Sequence, residues 1–188
     1  MIYVVLYLVG GMLFVNGLFM FGVITNLPGV VVYNLLVGVF ITIMGVWIVA
    51  KDNLSAFGET VSLVAGATCL TFGFAYLMIA LEGLTIVLGL KMGADFSVLG
   101  WYCLPMSICV LSLSLGWYQV LGSKMPKVPQ FGLMWLLWAI CFFLFFLVFG
   151  AGVGAVKVFT GIFIIIVGII TCCYTSLANF QAGKVGQW

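Results

Sequence analysis

The chain has 188 residues, 66% of them hydrophobic and only 5% charged, too few charges to cover a water-facing surface when a soluble domain carries about a quarter. Its six lysines and four carboxylates, with no arginine or histidine and a net charge of +2, offer no basic patch for nucleic acid. They also offer no imidazole for acid–base or metal chemistry.

A hydrocarbon core about 30 Å thick takes about 20 apolar residues of helix. Six stretches reach that length: 2–24, 30–50, 61–81, 98–120, 131–149 and 158–180. The fold class is therefore all-α integral membrane, a six-transmembrane-helix bundle forming one domain over 1–188. Every charge falls at a span end, in a connection or in the tail: Lys51, Asp52, Glu59, Glu82, Lys91, Asp95, Lys124, Lys127, Lys157 and Lys184. The first span lacks a basic leading region and a small-x-small site, so it is expected to be retained, not cleaved as a leader. It carries Gly10 and Asn16-Gly17.

Thr25-Asn26-Leu27-Pro28-Gly29 predicts a tight hairpin into the second span, which holds Asn34, Gly38 and Gly45 and ends near Trp47. Lys51-Asp52-Asn53 opens the second connection. The third span bears Gly66, Thr71 and Gly73. The third connection, Glu82 to Ser97, is the longest, with room for a short extra helix. Trp101 and Trp117 are placed at the two ends of the fourth span as interfacial anchors; sixteen residues of helix cover about 24 Å. Gly122 to Gln130, with Pro126 and Pro129, forms the fourth connection. Gly150 to Gly154 is too glycine-rich for stable helix. The six cysteines lie inside apolar runs, as small buried residues do, and not in loops as in a disulfide framework.

Glycines recur seven apart at Gly10/Gly17, Gly38/Gly45, Gly66/Gly73 and Gly161/Gly168, each pair on one helix face. Small residues there let backbones approach, through ordinary packing or around a narrow lumen. Asn16 and Asn34 lie deep in apolar spans; each amide needs a partner, in another helix or in a solute. Thr71, Ser112, Ser114, Thr171, Tyr174 and Thr175 are smaller polar candidates. On the fifth span Phe131, Trp135, Trp138, Phe142, Phe145 and Phe149 follow 4-3-4-3-4 spacing, one aromatic stripe. The stripe is a lipid-facing or packing face, or the wall of a pore for planar neutral solutes.

No span interior holds a carboxylate, lysine or histidine, and no nucleophile–base pair exists, so neither an enzyme nor a cofactor or metal site is expected. The same absence argues against ion or proton coupling. What remains suits a small, neutral, polar solute.

Leu70-Thr71-Phe72-Gly73-Phe74-Ala75-Tyr76-Leu77, Trp101-Tyr102, Trp135-Leu136-Leu137-Trp138, Leu6-Tyr7 with Asn16-Gly17, and Asn34-x-x-x-Gly38 stand in this order along the chain. Together with length and span count they closely resemble the AmiS/UreI family of urea channels and amide transporters. The resemblance implies a pore in each protomer, a homo-hexameric ring, and passive passage of urea or short-chain amides through the lipid bilayer of a bacterial inner membrane. A functional link to a cytosolic amidase or urease goes with it. Carried over by motif, the pore constrictions would hold Leu6, Leu13, Phe72, Tyr76, Trp135 and Trp138, and Asn16 also matches a family position. Three positions depart: Phe142 stands for a tryptophan, Ala75 for a threonine, and Val167, before Gly168, for a buried glutamate. With no histidine and few carboxylates, the acid gate of the urea-specific branch is not expected. Lys51, Lys124, Lys127 and Lys184 against Lys91 and Lys157 favour cytoplasmic termini. The family places both outside, and that orientation is preferred because the amino terminus has no basic residue to hold it inside. The competing readings are a coupled transporter of a neutral solute and a non-transporting membrane scaffold with a closed core.

Overall fold

The computed structural model describes residues 2–51, 61–90, 95–120 and 129–182, with side chains described between 4 and 174. Its helices are α1 (Ile2–Phe21), α2 (Leu27–Lys51), α3 (Val61–Val87), α4 (Ser97–Trp117), α5 (Pro129–Phe145) and α6 (Lys157–Ala182). Six helices are long and apolar enough to cross a membrane, and the described residues contain no strand. Asp52, Glu59, Lys91, Lys124, Lys127, Lys184 and the second and fourth connections lie outside the described residues, as does the side chain of Thr175.

The helix ends follow local chemistry. Gly22 at φ 86° closes α1, with the amides of Gly22 and Val23 bonded back to the carbonyls of Phe19 and Leu18. α2 then starts earlier than expected. The Asn26 side chain accepts from the Gly29 amide at 3.2 Å, an N-cap, and Pro28 sits in the first turn where its missing N–H costs nothing. α3 outruns its predicted end at 81 and stops two residues before Gly89, at φ 68°. Glu82 therefore lies on the helix, and the third connection shrinks accordingly. A span must be long enough for the hydrocarbon, but nothing in that requirement stops a helix from continuing beyond it. α5 passes into a π-helical turn, Phe146–Gly150, with the Ala151 amide bonded to the Phe146 carbonyl at 2.8 Å. Gly152 at φ 69° and a short 3₁₀ turn, Gly154–Val156, lead into α6.

The helices pack as three close antiparallel pairs: α2 with α3, α1 with α6, and α4 with α5. The seven-residue glycine pairs determine the first two. A Cβ on Gly168 would stand 2.7 Å from the Gly10 carbonyl oxygen, and one on Gly17 2.8 Å from that of Gly161. Gly38 meets Gly73, and Gly45 meets Gly66, in the same antiparallel order. Backbone touches backbone at each level, the arrangement that holds helices together where water supplies no hydrophobic drive. In the third pair Gly100 admits the backbone of Phe149 and Gly150, and the Ser114 hydroxyl donates to the Gly132 carbonyl at 2.8 Å.

The outer faces are apolar, with Leu36, Ile43, Leu63, Ile108 and Ile166 exposed, as a lipid-facing surface requires. Trp47 is exposed with the Lys51 ammonium 5.6 Å above its ring, and Trp101 is exposed. Trp117, expected at the lipid interface, is instead only 4% exposed and packs inward on Phe131 and Trp135. Spacing along α4 gave its height in the bilayer but not its azimuth. The cysteines divide: Cys69, Cys103 and Cys141 are buried, Cys172 is half-buried, and Cys109 and Cys173 are exposed; all six are free thiols.

Candidate functional site

Three cavities follow one another along the bundle axis, walled mainly by α1, α3 and α5. At the end opposite the chain termini lies one of about 260 Å³, bordered by Asn16, Phe19 and Met20 of α1, Ile79, Phe96, Leu99, Phe145, Phe149 and Lys157. The middle cavity shares Ile79, Leu99 and Phe145 with it and adds Leu13, Phe72, Ala75, Tyr76, Cys103, Cys141 and Phe142. The third, toward the termini, shares Phe72 and adds Val5, Leu6, Val9, Ala65, Thr68, Cys69, Trp135 and Trp138. The latter two are about 20 Å³ each, room for about one water. The file is wide at one end and closed through its middle and termini-end thirds. Among the described residues, the charged side chain bordering it is Lys157, at the wide end.

The closure is aromatic. The Phe72 ring stands edge-on to Trp138 at 4.8 Å between centroids and lies 5.1 Å from Phe142 and 6.1 Å from Tyr76. Trp135 and Trp138 are 4.8 Å apart. The stripe on α5 therefore faces inward, while Leu133, Ile140 and Phe143 take the outer face. Phe145 and Phe149 stack at 5.8 Å beside the wide cavity, the π-helical turn carrying Phe149 over it. Two hydrogen bonds fix the rings: the Tyr76 hydroxyl donates to the Val9 carbonyl at 3.3 Å, and the Trp138 indole donates to the Thr171 hydroxyl at 3.3 Å. Thr171 donates in turn to the Val167 carbonyl at 2.8 Å.

Asn16 and Asn34 are each other's partners. The Asn16 amide donates to Asn34 Oδ1 at 3.0 Å, and the Asn34 amide donates to Asn16 Oδ1 at 2.8 Å and to the Val30 carbonyl at 2.9 Å. Asn34 is sealed at 0% exposure, whereas Asn16 borders the wide cavity. The interhelical reading thus holds for the pair, and Asn16 alone keeps a cavity-facing position. Val167 is buried at 1% in the core, and none of the three cavity linings includes it. Among the smaller polar candidates, Thr71 bonds its own helix, Ser112 does so on an exposed face, Ser114 clamps α5, and Tyr174 packs on Phe131.

The α4 contribution, Leu99 and Cys103, was not foreseen; an apolar residue every four positions carries no chemical signal of its own. Ile79 could have been found, since it continues the Phe72, Ala75 and Tyr76 face by one turn.

Residues 1–181 match the family described as AmiS/UreI family transporter. The chain belongs to the AmiS/UreI family. It is 31% identical over 164 residues to a protein of Rhodococcus erythropolis named as a transporter, AmiS2, covering 87% of this chain and 71% of the relative. Its fold is similar to the cryo-electron-microscopy structure of the Helicobacter pylori urea channel in a closed state, with TM-score 0.75 and 25% identity over 98% of this chain and 100% of that one. It is also similar to the crystal structure of that urea channel, with TM-score 0.69, at the same identity and coverage. The protein is thus a six-span membrane protein of a transporter family.

Proposed function

We propose that this AmiS/UreI member is a facilitative channel for urea or short-chain aliphatic amides, driven by no ion gradient and without an acid gate. The observation that carries the reading is the cavity file, lined mainly by aromatic and aliphatic side chains with the uncharged Asn16, Thr68 and buried cysteines, and one lysine at its wide end. Among the described residues, no carboxylate, lysine or histidine borders the two narrow cavities, which leaves a coupling ion or a proton relay without a charged ligand among them. A planar, neutral amide needs none. It needs a slot that strips its water and offers ring faces, and Leu6, Leu13, Phe72, Tyr76, Trp135, Trp138 and Phe142 would form that slot. Asn16 would meet the solute from the wide cavity, and Val167 would leave the core without the carboxylate that the resemblance implies.

A solute larger than water passes the two narrow cavities only if Phe72 swings away from Trp138 and Phe142. Ring rotation of this kind is a gate that needs no charge. A closed middle is equally what a non-transporting scaffold would show, and the likeness to a urea channel described as closed favours the channel reading. We further propose a homo-hexamer in a bacterial inner membrane, with extracytoplasmic termini and a cytosolic amidase or urease consuming the solute; the support is the family resemblance.

The test is stopped-flow shrinkage and reswelling of proteoliposomes in urea, formamide and acetamide. Reswelling several-fold faster than in empty liposomes supports a conduit. Identical rates sink it and leave the scaffold.

A further inference from the structure

Among the described residues, two buried side-chain donors have no protein partner: the indole N–H groups of Trp117 and Trp135. Both residues are 4% exposed, and their rings touch, 6.0 Å apart and steeply inclined at 62°. Phe131 closes one side, 5.1 Å from Trp117 and 6.0 Å from Trp135. A buried N–H without an acceptor keeps its full desolvation cost, and native proteins rarely leave one without a reason. Two on touching rings call for a common explanation. Trp138, one turn along α5, provides the internal comparison: its indole is equally buried but bonded to Thr171.

The backbone explains why the two rings meet. Ser114 of α4 is bonded to Gly132 of α5, which fixes the level of one helix against the other. Trp117 lies three residues beyond that bond on α4, and Trp135 three residues beyond it on antiparallel α5. Helical side chains lean toward their own N-terminus, so the two indoles lean toward each other across the Ser114–Gly132 level. Trp135 also borders the termini-end cavity, and Trp117 packs behind it, in contact with Trp135 but lining none of the three cavities.

We propose that Trp117 and Trp135 form a binding station for a carbonyl oxygen at the termini end of the lumen, with Trp117 a specificity residue supplied by α4. A carbonyl oxygen has two lone pairs and accepts one or both indole protons. The two unpartnered groups of the station are both donors. It therefore recognises solutes by their oxygen, and a thiocarbonyl or a purely donating amine finds little there. The proposal rests on the amide-conduit reading for the identity of the solute, but not for the existence of the site.

The test uses wild-type protein with isotope-labelled indole nitrogens in lipid nanodiscs, titrated with acetamide and followed by nitrogen–proton correlation spectra. Each of the six tryptophans is assigned by one Trp→Phe variant. The readout is on the unsubstituted protein, so a variant that fails to fold is assigned by elimination. The expected result is a saturable downfield shift of the Trp117 and Trp135 indole protons, a stationary Trp138 proton, and at most a small response to thioacetamide or methylammonium. No shift at Trp117 and Trp135, parallel shifts at all indoles, or an equal response to thioacetamide overturns the station. If acetamide flux is normal in that case, the conduit reading survives. Shifts at the two indoles without flux above empty liposomes would keep the station and discard the conduit.

Discussion

The Asn16–Asn34 pair gives the sharpest stability prediction, because its two members have different access to water. Two side-chain hydrogen bonds join α1 to α2, at 3.0 and 2.8 Å. Interhelical bonds inside membrane proteins average about 0.6 kcal/mol, so the pair should show about 1.2 kcal/mol of coupling. Asn→Leu is close to isosteric and removes both polar groups. In Asn16→Leu, Asn34 keeps its bond to Val30 but its carbonyl oxygen is stranded at 0% exposure, at a cost of about 1–3 kcal/mol. In Asn34→Leu, the stranded amide is Asn16, which water can reach from the adjoining cavity of about 260 Å³. Asn16→Leu should therefore be the more destabilising change. The double variant should be more stable than the two single losses add up to, by about 1–2 kcal/mol. A double-mutant cycle on unfolding in mixed detergent, or by steric trapping in bicelles, measures this. Additive effects within about 0.5 kcal/mol, or Asn34→Leu as the worse single change, would refute the pairing.

Other outcomes follow from particular contacts. Gly168→Ala should destabilise the α1–α6 pair by about 1–3 kcal/mol, because its Cβ would press on the Gly10 carbonyl and the Phe14 amide at 2.7 Å. Gly154→Ala, with open space around it, should leave the unfolding midpoint unchanged. Phe72→Ala should join the middle and termini-end cavities; urea reswelling should quicken, and the preference for acetamide over butyramide should fall. An unchanged preference would remove Phe72 from the selectivity barrier. With no histidine in the chain, the side chain whose ordinary pKa lies between about 5 and 8 is missing. Flux should accordingly be flat across about pH 5.5–7.5, and a several-fold rise on acidification would expose a gate.

Span number, the seven-residue glycine faces and the aromatic stripe were legible because each is a periodic property of one helix; the direction the stripe faces was not. Partners were not. Gly10 and Gly168 stand far apart in sequence, and nothing in either span says that α1 takes α6 while α2 takes α3. The same limit explains Trp117. Its distance from Trp101 suited an interfacial belt, yet helical phase turns it inward onto Phe131 and Trp135. Asn16 and Asn34 were readable as amides in need of partners, and only the packing of α1 on α2 shows that each satisfies the other. The narrow cavities show the converse case. Phe72, Tyr76, Trp135 and Trp138 came from motif resemblance, whereas Leu99 and Cys103 on α4 have side chains too ordinary to stand out.

Passive passage of a neutral amide is tested most directly by the equilibrium distribution of radiolabelled acetamide across proteoliposomes, with and without imposed proton and voltage gradients. A conduit fills the vesicles faster than bare lipid does and stops at equal concentrations inside and out, whatever gradient is applied. Accumulation above the external concentration under a gradient, or filling no faster than in protein-free vesicles, would contradict it.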